Sequence, residues 1–219
     1  MVVGAVFFDI DGTLVPGTSS SQFLGERLGH LEALAAAEEE YARGERDNQW
    51  VSDLDARGWA GRREDEVASW LHDLPVVEGI PEVLERCREL ALAPYLATLA
   101  WAPVGAHLGT AFGFEGSCGP TLVAVGGQYT GEVERHFDEF DKRDFALAVA
   151  DRLGLSRSVC AAVGDSRSDL PLFEAAGLAI AFNADDAAAA QADVRVIGRD
   201  LRSILPHLER WALSLDAAS

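Results

Sequence analysis

Short apolar runs alternate with amphipathic stretches along most of this chain. "VVGAVFFD" (2–9), "APYLAT" (93–98), "SVCAAVGD" (158–165), "GLAIAFN" (177–183) and "ADVRVIG" (192–198) are strand-like segments, most of them apolar until their ends. That is the pattern of strands buried on both faces of a parallel sheet. Between them, "IPEVLERCRELA" (80–91), "KRDFALAVADRLG" (142–154) and "SDLPLFEAAG" (168–177) carry helical periodicity, with Ser168 placed to cap the last and Gly177 to stop it. The alternation predicts an α/β fold, a Rossmann-like doubly wound parallel sheet. From Gly17 to Pro75 it breaks: no strand pattern occurs, only amphipathic helical runs such as "SSSQFLGERLGHLEALAAAEEEYARG" and "REDEVASWLHDL". A small helical bundle is therefore expected as an insert (17–75) after the first strand, within a core made of residues 1–16 and 76–219. The Ala and Glu repetition at 33–40 reads as a solvated helix face. "PTLVAVGGQYTGEVE" (120–134), with Gly126 and Gly127 between two β-rich halves, predicts a hairpin.

Composition narrows the functional classes. A formal net charge of −18 argues against nucleic-acid binding, which relies on cationic side chains displacing phosphate counterions. The opening apolar run is too short for a membrane span and ends in acids, so a cytoplasmic protein without a membrane partner is expected. Cys87, Cys118 and Cys160 are odd in number and widely spaced, unlike a disulfide framework or a zinc site. The five histidines show no ligand spacing. A monomer and a homodimer are equally compatible with the sequence.

In doubly wound sheets ligands sit beyond the carboxyl ends of the strands, so polar residues closing apolar runs come first. The first run ends in "DIDGT", where Asp9 and Asp11 alternate onto one side and Gly12 permits a tight turn. The run at 158–165 ends in "GDSRSD", adding Asp165 and Asp169. Carboxylates gathered at one sheet edge repel unless a cation lies among them. Hard oxygen donors without neighbouring Cys or His suit Mg²⁺.

Together, "FFDIDGTLV", a strand ending in Thr98, the helix carrying Lys142, and "VGDSRSDLPLFEAAGLAIAFNA" resemble, in order and spacing, the four motifs of the haloacid dehalogenase superfamily of phosphohydrolases. The insert after the first motif and the hairpin before Lys142 look most like its phosphoserine phosphatase-like branch, in which such an insert is a cap over the active site. The resemblance implies a Mg²⁺-dependent phosphatase acting on a small-molecule phosphate ester. Asp9 would attack phosphorus, and Asp11 would serve as general acid and then base. Asp9, Asp11 through its main-chain carbonyl, and Asp165 would hold the metal, with Asp169 assisting through water. Gly12, Thr98, Leu99 and Lys142 would bind the phosphoryl group. Lys142 is the single lysine beside 17 arginines, as expected where a compact ammonium is needed and a wide guanidinium does not fit. A phosphomutase would use the same residues, and a binding or regulatory protein without turnover is the rival from another class.

Two departures from that branch stand out. "LVPGTSSSQ" offers Thr18 or a serine where phosphoserine phosphatases usually carry a glutamate for the substrate ammonium. After Thr98 come Leu99, Ala100 and Trp101 instead of two glycines and an aromatic. Both favour an ester other than phosphoserine. Arg43, Arg57 and Trp101 join Thr18 as candidates for reading the leaving group.

Overall fold

The computed structural model describes residues 2–216. Residue 1 and residues 217–219, the outer ends of the expected core segments, lie outside the described residues. Five parallel strands, β1 (Gly4–Phe8), β2 (Leu92–Leu96), β5 (Cys160–Gly164), β6 (Leu178–Phe182) and β7 (Val194–Val196), form one sheet in the order β2-β1-β5-β6-β7. Val6 and Phe8 of β1 enter one apolar cluster, and Ala5 and Phe7 enter another on the opposite face. Period-two alternation between two buried faces explains why these strands read as unbroken apolar runs.

Helices α5 (Ile80–Glu89), α6 (Ala102–Phe112) and α10 (Leu205–Asp216) contribute to the first cluster; α7 (Glu139–Leu153), α8 (Leu170–Ala175) and α9 (Asp186–Gln191) contribute to the second. Hairpin β3 (Thr121–Val125) and β4 (Gln128–Arg135) turns at Gly126 and Gly127, as expected. Strand order reverses about β1, whose neighbours are β2 and β5, and the crevice between β1 and β5 is the switch point of such sheets.

Between β1 and α5 lie α1 (Ser20–Leu28), α2 (Leu31–Ala42), α3 (Asn48–Gly58) and α4 (Glu64–Leu71). The long amphipathic run at its start is two helices, because Gly29 adopts φ 85° and closes α1. The insert has a small core of its own, Leu34, Ala37 and Val51 with Tyr41, Trp50 and Leu54 against it. Leu24, Trp59, Val67 and Leu71 belong instead to the cluster under the sheet. Trp59 is fully buried, edge-on to Trp101 at 6.0 Å and to Tyr129 of the hairpin at 5.1 Å.

Several local expectations shift. β7 covers only Val194–Val196, since side chains bond the backbone at both of its expected ends: Asp193 accepts from Ala179 N at 2.8 Å and Asn183 from Gly198 N at 2.9 Å. The cap after β5 is Ser166, whose carbonyl receives the Asp169 amide at 3.0 Å while its own amide donates to Asp169 Oδ2 at 3.2 Å, and not Ser168. Nor does Gly177 stop α8, which ends at Ala175 with Ala176 as its C-cap; a Cβ on Gly177 would stand 2.1 Å from the Ser158 carbonyl oxygen, so glycine there permits close approach of two backbones. Helix α7 begins before Lys142, capped by Asp138, which accepts from the amides of Phe140 and Asp141. Among the described residues, no helix is long and apolar enough to cross a membrane.

Candidate active site

A cavity of about 410 Å³ opens beyond the carboxyl ends of β1 and β5. Its floor carries Asp9, Asp11, Gly12, Thr98, Leu99 and Asp165, which come from three stretches of chain far apart in sequence. Thr18 and Trp101 also border it. Lys142 and Asp169 lie behind the floor, each fully buried.

Asp9 follows the last residue of β1 and is 4% exposed, its amide still held in the sheet by Val163 O. Lys142 Nζ donates to Asp9 Oδ1 at 2.7 Å and to Asp169 Oδ1 at 2.5 Å. Asp169 uses its other oxygen on the amides of Asp165 and Ser166, at 2.9 and 3.2 Å. One carboxylate therefore fixes both the lysine and the turn that presents Asp165. Gly12 sits at φ 82°, and a Cβ there would come within 2.1 Å of Asp165 Oδ2. Only glycine lets the turn after β1 fold against that carboxylate.

The electrostatics follow from burial with too few cations. Desolvation pushes Asp9 up to about 7 even with Lys142 opposing, and Asp169 adds to the rise. Desolvation, then Asp9 and Asp169, push Asp165 up to about 9. Asp11 is raised to about 6 by burial, opposed by the Ser20 amide, which donates to Asp11 Oδ1 at 2.6 Å. Burial alone would lower Lys142, but Asp169 and Asp9 reverse this and hold it above the usual lysine range. Asp9, Asp165 and Asp169 offer oxygens within 4.8 Å of one another, a grouping able to hold a metal ion.

The walls come largely from the insert. Asp55 of α3 is 3% exposed; Trp101 Nε1 donates to its Oδ2 at 2.6 Å, and His30 Nε2 lies 2.7 Å from its Oδ1. Asn48 Nδ2 donates to Phe137 O at 2.7 Å. Arg167 Nη1 donates to Tyr41 O at 2.6 Å and Nη2 to Glu139 Oε1 at 3.1 Å, with the guanidinium 4.6 Å over the Tyr41 ring. These contacts join α2 and α3 to the sheet-bearing part of the chain.

Of the candidates for the leaving group, Thr18 and Trp101 reach the cavity and the arginines do not. Arg43 is bound to Glu45 at 2.9 Å on the surface, and Arg57 is exposed. Glu38 corrects the reading of 33–40 as a wholly solvated face: it is half-buried, borders the cavity, and accepts from Ser19 Oγ at 2.7 Å and from Gln22 Nε2. Leu34, Glu38 and Tyr41 share one face of α2, spaced four and three apart, and that spacing is the signal that could have found it. Asn48, Ser52 and Asp55 also border the cavity and were not singled out from sequence.

Residues 3–177 match the family described as haloacid dehalogenase-like hydrolase. A protein of Halobacterium salinarum named phosphoserine phosphatase is 29% identical over 199 residues, covering 89% of this chain and 93% of that protein. A Methanocaldococcus jannaschii protein of the same name is 35% identical over 89 residues, 40% of this chain and 42% of the relative. A solved phosphoserine phosphatase, described as a phospho-aspartyl intermediate analogue, superposes with a TM-score of 0.86 at 22% identity, covering 94% of this chain and 99% of its own; it shows the shared fold. With its switch-point carboxylates, its insert after β1 and these likenesses, the chain belongs to the haloacid dehalogenase-like hydrolase family and is similar to proteins named phosphoserine phosphatase.

Proposed function

We propose that the enzyme hydrolyses a small-molecule phosphate monoester other than phosphoserine, through an aspartyl-phosphate on Asp9. The observation that carries this is the meeting of Asp9, Asp11 and Asp165 at the floor of one cavity, with Lys142 bound to Asp9 from behind it. Asp9 attacks phosphorus in line while Asp11 gives its proton to the departing alcohol oxygen. Asp11, now a carboxylate, takes a proton from the water that attacks phosphorus and frees Asp9. A carboxyl poised at about 6 suits both directions of transfer near neutral pH. Lys142 neutralises Asp9 and the phosphoryl oxygens, and Thr98 with Leu99 borders the same pocket.

The site fits Mg²⁺. Its donors are oxygens, and its carboxyls at the sheet edge outnumber the single ammonium, which is why burial and mutual repulsion raise Asp9 and Asp165. Asp9, Asp165 and the Asp11 main-chain carbonyl would hold the ion, which when bound supplies charge stabilisation to the phosphoryl oxygens. Asp169 spends its oxygens on Lys142 and the turn, so its part is to position rather than to ligate directly.

Residues 17–75 act as the cap, with core segments at 1–16 and 76–219. Ser20, the first residue of α1, delivers the amide that fixes Asp11, so the cap bears on the general acid as well as on the leaving group.

The test is phosphate release from a panel of sugar, polyol, amino-acid and nucleotide phosphates, with Mg²⁺ and with chelator. Release that requires the cation supports the reading; silence across the panel rejects it, and an isomerised ester would indicate a mutase. Independently of turnover, Mg²⁺ at about a hundred times its Kd should add roughly 2.7 kcal/mol of stability. At about 2–4 °C per kcal/mol for a chain of this size, the melting temperature should rise by roughly 5–10 °C over the chelated protein. No rise would remove the metal from the proposal.

Arg167→Ala should loosen the tie between Tyr41 and Glu139. Loss of such hydrogen bonds, about 0.5–1.5 kcal/mol, corresponds to a roughly two- to tenfold higher KM with a smaller change in kcat. Steady-state kinetics on the best ester checks this, and an unchanged KM would mean the tie does not limit substrate binding.

A further inference from the structure

Above the floor, the cavity that would receive the leaving group has an unusual charge balance. Among the described residues that border it, none is Arg, Lys or His. The acids there besides those at the floor are Glu38 and Asp55. Asp55 is engaged at both oxygens, by Trp101 and His30. Glu38 is likewise engaged at both oxygens, but by the Ser19 hydroxyl and the Gln22 amide, both uncharged, and among the described residues no ion pair to it is formed. It is a half-buried carboxylate facing a cavity with no cation opposite.

We propose that Glu38 is the specificity-determining residue for the leaving group, and that the substrate is the phosphate ester of an aminoalcohol whose protonated nitrogen meets Glu38 and which carries no carboxylate. The inference rests on the phosphatase reading above and deepens it. An ammonium supplies what the protein omits, a charged donor for a desolvated carboxylate. A carboxylate on the same alcohol would find no cation on the walls and would face Glu38 and Asp55. This replaces one argument made from sequence: an acid for an ammonium is present, carried by α2 instead of the segment after the first motif, and what the site lacks is a partner for a substrate carboxylate. The cavity is large enough for more than a two-carbon alcohol, and Thr18, Asn48 and Ser52 add polar groups suited to hydroxyls.

Glu38 also connects to the chemistry. Ser19, which donates to Glu38, caps α1 by accepting from Gln22 N at 2.9 Å, and the next residue, Ser20, holds Asp11. Occupancy at Glu38 thus steadies the helix end that orients the general acid.

Three esters test the idea on the Mg²⁺-loaded enzyme: hydroxyethyl phosphate and aminoethyl phosphate, matched in size, and phosphoserine, which adds a carboxylate, with an aryl phosphate as a general reporter. A hydrogen-bonded charge contributes about 1.5–3 kcal/mol, so kcat/KM for the aminoethyl ester should exceed that for the hydroxyethyl ester by roughly ten- to hundredfold. Phosphoserine should fall well below the aminoethyl ester. Glu38→Gln should bring the aminoethyl to hydroxyethyl ratio close to unity, and Glu38→Asp should restore part of it. A wild-type ratio near unity, or a ratio that survives Glu38→Gln, overturns the inference while leaving the phosphatase reading intact; a preference for phosphoserine overturns the inference together with the exclusion of phosphoserine from that reading. Failure to hydrolyse any of the four, the aryl ester included, overturns that reading and this inference with it. The wild-type ratios stand even if the variants fold poorly.

Discussion

Lys142→Met is expected to destabilise the protein by about 3–5 kcal/mol and to reduce kcat/KM by roughly a hundred- to a thousandfold. The cause is geometric. Lys142 Nζ lies between Asp9 at 2.7 Å and Asp169 at 2.5 Å, and all three side chains are at most 4% exposed. Methionine fills similar volume but leaves two buried carboxylates without their ammonium, and breaking a buried pair from one side costs more than the pair contributes. Asp169 would also lose the group that fixes the oxygen opposite its bonds to Asp165 N and Ser166 N, so the turn presenting Asp165 loosens. Lys142→Arg should not rescue activity. The guanidinium is wider than the ammonium, and the position is fully buried, so overpacking of about 1–3 kcal/mol is expected instead. Urea unfolding and steady-state kinetics on both variants check this. Near wild-type activity in Lys142→Arg would show that only a positive charge is required there.

Asp9→Asn should leave a folded protein and lower kcat by at least about ten-thousandfold. The amide oxygen can still accept from Lys142, and one negative charge leaves a region where Asp169 and Asp11 repel it, so folding is spared. The amide cannot act as the nucleophile. Wild-type enzyme quenched in acid during turnover should carry one phosphoryl group on the peptide containing Asp9, and the variant should carry none. The Mg²⁺-induced rise in melting temperature should shrink as well, since a ligand is lost. Turnover surviving in Asp9→Asn would place the nucleophile elsewhere.

The parts of this molecule that sequence disclosed are those whose signals are local. Apolar runs ending in Asp9 and Asp165 name both the strands and their chemistry, because a strand buried on two faces leaves its polar residues at the carboxyl end. The lone Lys142 stood out by composition and lies against Asp9 despite a separation of 133 positions. What escaped was set by packing between elements. Glu38 sits in a repetitive Ala and Glu stretch, and only the way α2 rests on α1 and α3 turns it inward. Ser166 displaced Ser168 as the cap because Asp169 completes a reciprocal pair of bonds with it. Arg43 was a candidate for reading the leaving group, yet Glu45 two residues on captures it at the surface. Such choices depend on partners that a one-dimensional pattern does not bring together.

The bond chain through Asp55 bears on how an enzyme of this kind can diverge. Trp101, ahead of α6, and His30, ahead of α2, each occupy one oxygen of a carboxylate that is nearly sealed from solvent. Changing Trp101 alone strands an oxygen, and changing Asp55 alone strands the indole N–H, each a penalty of about 1–3 kcal/mol. Positions 55 and 101 are therefore epistatic: a lineage drifting toward a new ester can vary Thr18, Glu38 or Ser52 one at a time, but it crosses a fitness valley to alter this pair unless both change together.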